Sequence, residues 1–186
     1  TDSPISMELN DGKILGVNPI VRSYDIENVN ETIKSVLYKK ETIIDNYNEL
    51  TLNFKGNYSI QFRAYDDGIA YRFITKFSKP IIVKKENITY NFDDDYTAYI
   101  PYVNPSKGHG DNISKQFFNS FENTYSITPI SEMENDKLAF MPILISLKDN
   151  KKVVITEADL EDYPGTHLTK NKNKKKSIAG LHANYP

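Results

Sequence analysis

Apolar and polar residues alternate along much of this chain with a period of two. In Tyr58-Ser59-Ile60-Gln61-Phe62-Arg63-Ala64, the residues Tyr58, Ile60, Phe62 and Ala64 share one face. Asp66-Asp67-Gly68 then turns the chain and Ile69-Ala70-Tyr71-Arg72-Phe73-Ile74-Thr75 returns, the pattern of a β-hairpin. Comparable patterns predict strands at Ile14 to Val17, Leu50 to Phe54, Ile81 to Lys84, Ile88 to Phe92, Thr97 to Ile100, Tyr125 to Thr128, Phe140 to Leu147 and Val153 to Glu157. Asp149-Asn150 joins the last two as a tight turn. Short strands with turn signals at close intervals predict an all-β fold, an antiparallel sandwich of large twisted sheets.

Helical signals are few. Asn28 to Leu37 places Val29, Ile33 and Val36 near helical spacing, but its β-branched residues leave strand and loop as the two readings. Gly108 to Asn112 reads as an exposed loop. Lys170 to Lys176, five lysines interleaved with asparagine, reads as a solvated, mobile segment, with phosphate binding the less favoured reading.

A length of 186 residues corresponds to one domain with a real core, so the chain is expected to form a single unit over 1–186. Abundant Tyr and Phe without Trp agree with strands. A formal charge of -2 with mixed signs gives no nucleic-acid footprint, and no apolar run approaches a membrane span. Without cysteine there is neither a disulfide nor a thiolate metal site. His109, His167 and His182 lie far apart in loop-like sequence, which argues against a histidine metal cluster. The start at Thr1-Asp2-Ser3-Pro4 and the stop at Ala183-Asn184-Tyr185-Pro186 lead us to expect a piece of something longer.

Chemistry concentrates in Val153 to Gly165, where an apolar strand runs into Glu157, Asp159, Glu161 and Asp162. Carboxylates near a low-dielectric core need compensation. A hard cation taking oxygen ligands, or basic side chains from another element, would supply it. Asp159, Glu161 and Asp162 also read as a solvated turn, whereas Glu157 directly follows the Val-Val-Ile run. Phe121 to Tyr125 and Asp94 to Tyr102 mix aromatic rings with polar groups, the composition of a sugar-contacting surface or of half-buried strands showing hydroxyls to water. No nucleophile elbow, P-loop, dinucleotide fingerprint or zinc motif is present.

The combination of Tyr47-Asn48-Glu49-Leu50, the run Phe62 to Phe73, Phe121-Glu122-Asn123-Thr124-Tyr125 and the run Thr156 to Gly165 resembles the N-terminal domain of glycoside hydrolase family 97 over nearly the whole chain. The resemblance implies a β-supersandwich of the galactose-mutarotase type that precedes a catalytic (β/α)8 barrel. It implies membership of a calcium-dependent, exo-acting α-glucosidase or α-galactosidase, periplasmic or secreted, with α-linked oligosaccharides as substrates. No catalytic residue is expected in this chain, since the resemblance places catalysis on the barrel. Glu157 matches a calcium ligand and Asn123 a further oxygen ligand, while Glu122, Tyr125 and Asp159 are the expected substrate-binding residues. Many relatives carry Glu-Ser-Glu in place of Glu122-Asn123-Thr124, and Met in place of Thr166.

Two other readings stand beside this one. A stand-alone carbohydrate-binding module would use the tyrosine-rich strands as its platform. A sugar epimerase would need a histidine and glutamate pair, and the three histidines are expected in loops without such a partner.

Overall fold

The computed structural model describes residues 2–104, 112–161 and 163–183. His109 with most of the predicted Gly108 to Asn112 loop, and Asp162, lie outside the described residues. The strands are β1 (Ile5–Leu9), β2 (Ile14–Leu15), β3 (Val21–Lys34), β4 (Thr42–Phe54), β5 (Tyr58–Ala64), β6 (Ile69–Thr75), β7 (Val83–Asn91), β8 (Thr97–Ile100), β9 (Ser126–Pro129), β10 (Ile143–Ser146), β11 (Lys152–Ile155), β12 (Thr166–Lys170) and β13 (Ser177–His182). Among the described residues the only helical pieces are one turn at Ile113–Gln116 and a 3-10 turn at Ile130–Glu132. Contacts divide the chain into two compact units, residues 9–82 and residues 1–8 with 83–186.

In the first unit β3, β4, β5 and β6 form an antiparallel sheet in sequence order. Its register aligns Ile26 with Leu50, Leu50 with Phe62 and Phe62 with Tyr71, so alternation places an apolar row on one face. The opposite face is polar and tied by hydrogen bonds. Gln61 donates to Glu49 at 2.6 Å, Arg72 to Gln61 at 2.8 Å, Ser59 to Asn53 at 2.7 Å and Asn53 to Asp25 at 2.9 Å. The β5–β6 hairpin has the predicted ends, closed by the Tyr65 N–H donating to the Gly68 carbonyl at 2.8 Å. Asn28 to Leu37 resolves mostly as strand, because β3 pairs with β4 through Lys34.

The second unit is a sandwich of two sheets. One runs β12-β13-β7-β1 and the other β11-β10-β8-β9. Ile100, Ile143 and Ile145 from one sheet and Leu168 and Ile178 from the other are fully buried in a shared core with Ile130. At roughly 1.5 to 3 kcal/mol for each large aliphatic side chain, burial of this kind is the main force holding the sheets together. The β10–β11 turn places Asp149 and Asn150 at φ 56° and 57°, a conformation that Asp and Asn tolerate better than other side chains. Ile81 to Lys84 and Ile88 to Phe92, predicted as separate strands, are mostly covered by the single β7.

The lysine-rich stretch lies between two strands. Lys170 closes β12, and the following turn is held by the Asn171 N–H donating to the Ser177 carbonyl at 3.1 Å and by the Asn173 N–H donating to the Asn171 side chain at 3.0 Å. It forms the turn between β12 and β13, exposed at Lys172 to Lys175.

Candidate functional site

Strand β11 ends at Ile155, whose side chain is buried, whereas Val153 and Val154 are 38% and 53% exposed. Only the last residue of the apolar run therefore enters the core. Glu157 lies two residues beyond the strand and is half-buried, while Asp159 and Glu161 are exposed in a solvated turn. The compensation expected for Glu157 comes from the backbone. The Thr166 N–H donates to both carboxylate oxygens, at 2.9 and 3.0 Å. A Cβ at Gly165 would stand 3.2 Å from Glu157 Oε1, so a glycine there lets the carboxylate reach this close to the chain.

Thr166 opens β12 and is buried, and its register partner on β13 is His182. The Thr166 hydroxyl lies 2.8 Å from His182 Nε2. The neighbouring strand β7 pairs Thr89 with Ala179 and Asn91 with Ser177, and the same register continued along β7 brings Glu86 level with His182. The Tyr163 hydroxyl donates to Glu86 at 2.8 Å, and the Tyr163 ring meets the His182 ring edge-on at 6.1 Å. Glu86, Glu157, Tyr163, Thr166 and His182 thus gather where β12 begins and β13 ends, with Glu86 reaching them from within β7.

Burial holds the His182 pKa below the usual histidine value, opposed by the nearby Glu86 and Glu157 carboxylates. Burial first, and Glu86 second, push the Tyr163 hydroxyl above the usual tyrosine range, and burial also raises Tyr90. Two carboxylates beside an imidazole and phenol rings make this a spot rich in oxygen acceptors, suited to a cation or to hydroxyl donors. His167 points to the opposite face of β12, with its ring 5.0 Å from that of Phe117 and 4.8 Å from that of Phe140. Both of its ring nitrogens are buried without a hydrogen-bond partner, as is His182 Nδ1. His167 and His182 thus lie on strands β12 and β13 and not in loops, since buried Thr and Ser in these strands blur the apolar alternation on either side of the lysine turn.

The other predicted residues lie on the segment that enters β9. Asn123 is exposed and its side-chain oxygen accepts from the Thr124 N–H at 2.8 Å, while Glu122 is exposed. Tyr125 is 45% exposed, with the Phe121 ring edge-on at 5.1 Å. Among the described residues no group of three or more His, Asp or Glu side chains is arranged to hold a metal. Glu157 has the donor chemistry for a hard cation, yet one carboxylate falls well short of six to eight oxygens. In the Asp94 to Tyr102 stretch, Tyr102 is buried with its hydroxyl accepting from the Glu134 N–H at 2.7 Å, and Tyr96 donates to Asp93 at 2.9 Å. Both hydroxyls have internal partners, Tyr96 just before β8 and Tyr102 just after it.

The chain matches the glycosyl-hydrolase 97 N-terminal family over residues 1–186. It is 42% identical over 186 residues to a retaining alpha-galactosidase of Bacteroides thetaiotaomicron, covering 100% of this chain and 28% of that protein. The chain thus spans little more than a quarter of that relative. Among solved structures it is similar to a glycoside hydrolase family 97 enzyme in complex with acarbose from Pseudoalteromonas sp., at TM-score 0.75 and 20% identity over 98% of this chain and 27% of that one. It is also similar to a beta-arabinopyranosidase, at TM-score 0.77 and 17% identity over 97% of this chain and 30% of that one. These two likenesses show the fold. Matched along its whole length, the chain belongs to the family of glycosyl-hydrolase 97 N-terminal domains.

Proposed function

We propose that this chain is the non-catalytic N-terminal domain of a larger exo-acting α-glycosidase, in which it supplies part of the wall of the substrate pocket and one arm of a calcium site. The observation that carries the reading is Glu157, a half-buried carboxylate held by the Thr166 N–H at a strand end. Calcium, when bound, would offset that charge and act on substrate oxygens as a Lewis acid. Glu157 would be its ligand from this chain, with Asn123 as a further oxygen donor and the remaining ligands on a catalytic barrel. Glu122, Tyr125 and Asp159, all exposed, are offered as the pocket-wall residues. The 42% identity to a retaining alpha-galactosidase favours α-galactosides as the substrate class. A periplasmic or secreted location belongs to the same reading.

The test compares the full-length protein with the 186-residue chain on aryl α-galactosides and α-glucosides. The full-length protein is expected to turn over the galactoside and the chain alone neither substrate. Turnover by the chain alone would overturn the proposal.

A further inference from the structure

Three features hold the Glu157 carboxylate in one orientation, and the family match assigns a role to none of them. Its two oxygens share one backbone donor, the Thr166 N–H. Gly165 leaves room where a side chain would crowd Glu157 Oε1 at 3.2 Å. Thr166 is in turn fixed by its hydroxyl at 2.8 Å from His182 Nε2, across a cross-strand pair. A brace lies outside these, because Tyr163, on the same loop as Glu157, donates to Glu86 on β7 at 2.8 Å. Thr166 is therefore tied to β13 through His182, and Tyr163 to β7 through Glu86.

We propose that Gly165, Thr166 and His182, braced by the Tyr163–Glu86 hydrogen bond, are positioning residues that preset the Glu157 carboxylate for its ligand. The physical reason is that a carboxylate on a free loop must be ordered when it binds, whereas one already held by a rigid strand end has that ordering behind it. Partners one step removed from a ligating side chain commonly change affinity by about 10- to 100-fold. The His182 ring is the keystone, since Thr166 is the residue through which strand and carboxylate meet.

The identity of the ligand as calcium rests on the proposed function, so the experiment reads two things in the full-length protein. Calcium affinity is measured by titration calorimetry for wild type, Glu157→Gln, His182→Leu and His182→Gln. Exchange of the Thr166 amide hydrogen is measured for the same proteins. His182→Leu is expected to weaken calcium binding by about tenfold and to speed exchange at Thr166, with an unchanged unfolding midpoint. His182→Gln, which can still hydrogen-bond the Thr166 hydroxyl, should recover most of both losses. Wild-type exchange at Thr166 in both Glu157→Gln and His182→Leu would overturn the positioning role. Unchanged calcium affinity in Glu157→Gln would overturn only the calcium assignment, and exchange at Thr166 would still decide the positioning. Should His182→Leu fail to fold, Thr166→Val, which keeps the N–H and the shape but loses the hydroxyl, gives the same two readouts.

Discussion

Glu49 on β4 and Arg63 on β5 stand opposite one another in the sheet and form an ion pair at 2.8 Å, although Glu49 is only 9% exposed. The arginine also lies over the Tyr47 ring, 4.3 Å from its centroid, and Gln61 donates to the same carboxylate. A carboxylate this buried depends on those partners, because removal of one leaves its charge poorly compensated.

Arg63→Met keeps an unbranched stem over Tyr47 but strips Glu49 of its cation. It is expected to destabilise the fold by about 2 to 3 kcal/mol in urea unfolding, since among the described residues Gln61 is the side-chain donor that remains. The double variant with Glu49→Gln should lose less than the sum of the two single changes. A loss in Arg63→Met of under about 0.5 kcal/mol would mean that solvent screens the pair as it does at ordinary surfaces.

Packing makes a second prediction at Gly180. A Cβ there would sit 3.1 Å from Thr166 Cγ2 and 3.2 Å from Ile88 Cβ, on the inward face of β13. Gly180→Ala is expected to cost about 1 to 3 kcal/mol through overpacking, even though alanine is the smallest addition possible. Differential scanning calorimetry checks this, and an unchanged or raised midpoint would show that Thr166 and Ile88 yield freely.

The third prediction concerns acid. Burial, then the nearby His182, holds the His167 pKa below its unfolded value of 6.5. With the folded pKa depressed, stability is complete above the unfolded pKa and falls with decreasing pH, because the unfolded chain takes up a proton first. Unfolding free energy should therefore decline from pH 7 to pH 5. His167→Phe, placed between Phe117 and Phe140, should lessen that decline and leave stability at pH 7 within about 1 kcal/mol of wild type. A decline as steep as that of wild type would assign the acid sensitivity to other groups.

The parts of the fold legible in the sequence are those fixed by local signals. The β5–β6 hairpin has alternating strands and an Asp-Asp-Gly turn within a few residues, and β8 has a clean run from Thr97 to Ile100. Strand β3 is harder to read, because nearly every residue on it is exposed and no buried face imposes a period. Strands β12 and β13 escape notice for a different reason. They bury Thr166, Thr169 and Ser177 as well as apolar residues, the Thr169 hydroxyl donating to the Lys137 carbonyl at 2.8 Å. The site divides in the same way. Glu157 is visible because it follows an apolar run, whereas Glu86 and His182 are distant in sequence and meet only through the register of three strands. His182 gives no local sign of its partner.

The proposed calcium site, with Glu157 as the ligand from this chain, is tested most directly by calcium-dependent hydrolysis by full-length Glu157→Gln. The change keeps shape and hydrogen-bonding capacity while removing the charge. Activity is expected to fall by about 10-fold or more at micromolar free calcium and to recover in part at millimolar calcium, because a lost charged ligand weakens the site without abolishing it. Wild-type activity of the variant at micromolar free calcium would contradict the account.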